Sequence, residues 1–135
     1  MMLRRVPRAV RLGLSAAFLI AALSACAVGE RAKALYLHQH RLLAALTSTI
    51  DSVEADDPDL ADRLYDSEDE LISVCRPLWE AGALRTESRE ILGGLRWQVF
   101  TILEPCAKKS REVEALIWRV DPDTADIYLA RPEHR

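Results

Sequence analysis

Two apolar patterns divide this chain. From Leu12 to Leu23 the apolar residues are nearly continuous, broken only by Gly13 and Ser15. After about residue 30 they recur instead at helical steps. Leu35, Leu42, Leu46, Ile50 and Val53 form one stripe and predict a first helix over residues 30–54. Residues 55–59 interrupt it. Asp57 suits an N-cap and Pro58 the first helical turn, so a second helix is predicted to start there. Its stripe is Leu60, Leu64, Leu71, Val74, Cys75 and Leu78, with Pro77 as a kink or early end and Gly82 as a stop.

A third helical region is expected from about Thr86, with Glu87 and Glu90 in its first turn. Its stripe is Leu92, Leu95, Val99, Ile102 and Cys106, then Val113, Leu116, Ile117 and Val120. Pro105 either kinks this helix or splits it, with a fourth helix from near Ser110. Asp121-Pro122-Asp123 reads as a turn, and Ile127-Tyr128-Leu129 as a patch that could join the core. No segment keeps a period of two. The pattern therefore predicts an all-α fold, a small antiparallel bundle of three or four helices over residues 31–121, with a tail over 122–135.

The continuous apolar run has a different meaning. Arg4, Arg5, Arg8 and Arg11 precede or open it, and no acid occurs in the first 25 residues. A basic end followed by an apolar helix is the order of a secretory signal, and the run is shorter than the ~20 residues of a membrane span. It ends Leu23-Ser24-Ala25-Cys26. This box, after that basic end and apolar core, resembles the lipobox of bacterial lipoproteins. The resemblance covers about the first fifth of the chain. It implies a diacylglyceryl group on the Cys26 thiol and cleavage just before it, giving a signal over residues 1–25 and a lipidated tether over 26–30. Small residues at Ser24 and Ala25 leave a peptidase room to approach the backbone. A competing site exists: Ala25-Cys26-Ala27 fits an ordinary A-x-A cleavage, which would release the protein without lipid. Arg4-Arg5 fits a twin-arginine signal poorly.

Cleavage before Cys26 leaves 110 of the 135 residues, enough for one small core. Loss of the four arginines moves the formal charge from −3 to −7. So acidic a domain is not expected to bind nucleic acid, or anionic lipid through its net field. Membrane attachment is therefore expected through covalent lipid.

With Cys26 used by lipid, Cys75 and Cys106 remain as a pair in an oxidising compartment. Each lies on the apolar stripe of its helix, and a disulfide between them is expected, worth about 3 kcal/mol by loop closure. This expectation constrains the helix boundaries. If the chain reverses near residues 82–85, the two cysteines differ in depth by nearly ~20 Å at ~1.5 Å per residue, too far to bridge. A reversal around Gly93-Gly94 roughly halves that mismatch, and a fold-back at Pro105 could also bring the two together. The disulfide and a single straight third helix starting at Thr86 are incompatible.

Candidate chemistry is sparse. His38 and His40 stand about 200° apart on a helix, and the only other histidine is His134, so no metal site is expected. Ten acids lie between Asp51 and Glu70 with Arg63 as their only base, but the glycine of a calcium loop is missing. They read as a solvated helix start or as a patch for a basic partner. Lys108, Lys109 and Arg111 form a small basic cluster. Trp79, Trp97, Phe100 and Trp118 read either as a second packed face or as an interaction surface, because aromatic side chains dominate interface hot spots. The motifs of serine hydrolases, phosphate-binding loops, zinc proteases and covalent haem sites do not occur. No catalytic or cofactor-binding residue is nominated.

The expectation is a non-enzymatic lipoprotein of the bacterial cell envelope, facing the periplasm and acting as a structural or protein-interaction module with an envelope protein as partner. The alternative is a periplasmic module that binds a small molecule or ion. Ala27 stands where an Asp after the lipidated Cys would retain a lipoprotein in the inner membrane, which favours the outer membrane.

Overall fold

The computed structural model describes the backbone of residues 8–129 and the side chains of residues 28–129. The box ending at Cys26 and the tail histidine His134 therefore lie outside the described side chains. Four helices follow in order: α1 (Arg8–Val53), α2 (Pro58–Thr86), α3 (Gly93–Val120) and the short α4 (Pro122–Tyr128). No strand occurs among the described residues. The chain divides into two compact units, Met1–Arg31 and Ala32–Arg135. The second is the all-α bundle that the apolar spacing predicts.

α1 does not begin at residue 30. Its helical backbone includes residues 26–30, expected as a tether, and the lone Gly29 there costs too little, ~1 kcal/mol, to end a helix. Within the bundle α1 buries Leu42, Ala45, Leu46 and Ile50 together with the polar Gln39 and Thr49. The steps of three and four hold, but two polar residues complete the stripe.

α2 starts as the sequence predicts. The Asp57 carboxylate accepts a hydrogen bond from the Leu60 N–H at 3.0 Å, and Pro58 occupies the first turn. Its predicted end is corrected. The helix passes Pro77 and Gly82 and continues to Thr86. Gly82 serves packing instead of termination: a β-carbon there would overlap the Tyr36 ring of α1.

The real stop is a six-residue reversal over residues 87–92. Ser88 adopts φ 56°, the left-handed conformation that usually falls to glycine. The Ser88 N–H donates to the Arg85 carbonyl at 3.1 Å and the Arg89 N–H to Leu84 at 2.8 Å, the paired bonds of a Schellman motif. α3 consequently starts at Gly93, not Thr86, and runs through Pro105 to Val120 as one helix. It buries Val99, Leu103, Cys106, Ser110, Val113, Glu114 and Ile117. Leu92, expected on the stripe, is 71% exposed, and Leu103 takes the core position assigned to Ile102.

This boundary reconciles the cysteines. Cys75 lies eleven residues before the end of α2 and Cys106 thirteen after the start of α3, so their depths agree to within ~3 Å. They are joined as a disulfide with Cα atoms 5.1 Å apart. On the same pair of helices Lys109 forms an ion pair with Glu70. Residue numbers fall on one helix as they rise on the other, so α2 and α3 are antiparallel. α1 and α3 are parallel, because Gln39 meets Ser110 and Ser52 meets Asp121.

The predicted turn over residues 121–123 narrows to Asp121 alone, because Pro122 and Asp123 open α4. The Asp121 backbone N–H caps α3 by donating to Ile117, and its carboxylate opens α4 by accepting from the Thr124 N–H at 3.0 Å. From the trio 127–129 only Leu129 enters the core; Ile127 and Tyr128 are exposed.

Candidate functional site

Helical spacing places polar residues at three core positions where α1 faces α3. The Gln39 amide donates to the Ser110 hydroxyl, which in turn donates to the Cys106 carbonyl at 2.7 Å. One helical step away, His38 Nε2 lies 3.3 Å from the carboxylate of Glu114, a residue 5% exposed. The Gln39 Oε1 atom is buried without a hydrogen-bond partner. Such a layer fixes the register of two parallel helices, because sliding by a turn would strand buried polar groups. It is a pairing device between α1 and α3.

His40 points elsewhere, as the angular separation requires. Its ring packs edge-on against Tyr36 and against Trp79 of α2, both with centroids 4.7 Å apart. Tyr36 and Trp79 meet at 5.3 Å and close the triangle. Close approach of Tyr36 depends on Gly82. The two histidines thus serve different interfaces. No group of three or more His, Cys, Asp or Glu able to hold a metal occurs among the described residues.

The four aromatic residues singled out by sequence do not gather into one surface. Trp79 is half-buried in the triangle with Tyr36 and His40, and Trp118 is half-buried farther along α3. The indole N–H of each is buried without a partner. Trp97 and Phe100 do come together. They stack on the outer side of α3 with centroids 5.5 Å apart, 66% and 51% exposed. Leu92 lies at the N-cap of the same helix. The inward positions Val99 and Leu103 satisfy the core, which leaves this pair facing water.

The acidic run forms the opposite end of the bundle, where α1 finishes and α2 starts. Its charges converge on Tyr65, whose hydroxyl is held above its ordinary pKa by Glu54 foremost, then by burial and by Asp51, Glu68 and Asp62. Glu68 is raised too, chiefly by desolvation and then by Asp69. Of the basic cluster, Lys109 is committed to Glu70, with Glu112 3.8 Å away, and Arg111 pairs with Glu104 at 3.3 Å. The Lys109–Glu70 pair thus joins α2 to α3 within one chain, and Arg111–Glu104 lies along α3 itself.

Compared with families of known proteins, with curated proteins and with solved structures, the chain matches none. No helix among the described residues is long and apolar enough to cross a membrane.

Proposed function

We propose that this protein is a lipid-anchored module of the bacterial cell envelope that works by holding an interaction surface at a membrane. The observation that carries this is the box Leu23-Ser24-Ala25-Cys26 at the end of an apolar run preceded by arginines and free of acids. Such a segment directs export, and the thiol of Cys26 takes the lipid. The bundle supports the reading in two ways. A disulfide between Cys75 and Cys106 suits an oxidising compartment such as the periplasm. The buried polar layer, the aromatic triangle and the ion pairs are each accounted for by helix packing. The role is recruitment or structural support of an envelope protein, not catalysis.

The test is Cys26→Ser. The variant is expected to lose lipid processing and to leave the membrane fraction, while the wild type stays in it. Unchanged processing and fractionation of the variant would refute the anchor.

A further inference from the structure

Chemistry is distributed unevenly along the bundle. Tyr36 of α1 packs on Gly82 and His40 on Trp79, so toward Ala32 the chain lies in the half of the bundle where α2 ends and the reversal over 87–92 begins. That end carries the exposed Leu92, Trp97 and Phe100. Helical side chains tilt toward the helix N-terminus, so Trp97 and Phe100 lean toward this end rather than away from it. Lys33, Arg85, Arg89 and Arg96 are exposed around it, with Glu87 and Glu90 as the acids of the turn. The ten acids from Asp51 to Glu70 occupy the other half, where their mutual proximity shows in the raised pKa of Tyr65. The strong negative charge of the domain is therefore not spread over its surface. Most of it lies away from the aromatic end, where Glu80, Glu87 and Glu90 are exposed acids.

We infer that this aromatic end, through Leu92, Trp97 and Phe100, seats in the head-group layer of the bilayer to which the N-terminal lipid fixes the protein. The inference rests on the lipid anchor proposed above. From Cys26 to Ala32 the chain spans at most ~20 Å even when fully extended, so a lipidated Cys26 keeps this end beside the membrane. Val53, at the far end of α1, lies ~30 Å farther along the helix. At that distance, several screening lengths in physiological salt, the acidic half feels little repulsion from anionic head groups. Tryptophan is enriched at head-group depth, where a flat apolar ring with one N–H is better placed than in water or hydrocarbon. Arg85 and Arg96, exposed beside it, can meet lipid phosphates, while Arg89 pairs with Glu87 at 3.3 Å. Covalent lipid supplies attachment, and the aromatic end sets orientation: the bundle stands with its acidic half projecting into the aqueous space.

The test uses the full lipidated protein in vesicles of phosphatidylethanolamine and phosphatidylglycerol whose acyl chains carry bromine, a short-range quencher of tryptophan. Flotation with the vesicles is read together with fluorescence. The expected result is flotation of wild type and Trp97→Phe alike, strong quenching in the wild type, and loss of most of that quenching in Trp97→Phe but not in Trp118→Phe. Trp97 is exposed, so its replacement leaves the core intact. Flotation with equal quenching in wild type and Trp97→Phe would overturn the inference while leaving the anchor standing. So would a Trp97 that stays in water on these vesicles and is shielded only when other envelope proteins are added, which would make this a protein-docking surface. A protein with no acyl chain that does not float would overturn the anchor, and this inference with it.

Discussion

Ser88 shows how one residue sets the geometry of the bundle. It holds a left-handed backbone without being glycine, at a cost of about 1 kcal/mol. Ser88→Gly is therefore expected to stabilise the protein by about that amount and raise the thermal midpoint by a few degrees, read by circular dichroism. A second residue, Asp121, joins three helices. Burial pushes its carboxyl pKa up, but hydrogen bonds from Thr124 and from the Ser52 hydroxyl outweigh this and hold it below its ordinary value. A carboxyl depressed in the folded state stabilises above its unfolded pKa, about 3.9, and loses that contribution as pH falls through the lower folded value. Denaturant unfolding of the wild type and of Asp121→Asn should thus differ at neutral pH, and the gap should close in acid. A gap independent of pH would contradict this assignment.

Between helices the dominant constraint is the cysteine pair. Cys75 and Cys106 close a loop with a sequence separation of 31, worth about 3 to 4 kcal/mol on the chain-entropy account. Reduction is expected to lower the unfolding midpoint in denaturant strongly, with helicity kept in mild conditions by the α2–α3 apolar contact. The start of α2 was legible because Asp57 and Pro58 are local signals that no distant packing overrides. The end of α2 was not. Gly82 reads as a stop, yet its missing side chain serves Tyr36 of another helix, a tertiary demand invisible to local spacing. The polar run 86–90 is loop-like in composition but also resembles an acidic first turn, and the two differ only through the backbone of Ser88. The distance constraint between the cysteines excluded a straight third helix from Thr86 but left a reversal near Gly93 and a fold-back at Pro105 both open. The buried layer of Gln39, Ser110 and Glu114 was missed because polar residues on an apolar stripe look like breaks in it. Among the aromatic residues, the off-stripe position of Trp97 and Phe100 did signal exposure. The same position for Trp118 did not, because a helix in a bundle has more than one packed side.

At the scale of the whole molecule, net charge misleads when taken as uniform. A formal charge of −7 for the residues after the signal argues against attraction to anionic lipid. The fold places most of that charge where α1 ends and α2 starts, and leaves an aromatic, arginine-bearing end at the reversal between α2 and α3. In the proposed reading, a lipid anchor and a polarised bundle belong to one design, in which attachment and orientation are supplied by different parts. Both depend on Cys26. Its state is read most directly by the intact mass of the protein extracted from membranes, measured before and after reduction. The account predicts a chain starting at Cys26, heavier than its polypeptide by a diacylglyceryl group with or without a further acyl chain, and gaining two hydrogens as the Cys75–Cys106 bond opens. A mass equal to the unmodified 135-residue chain, or to a chain starting at Val28 without lipid, would contradict it.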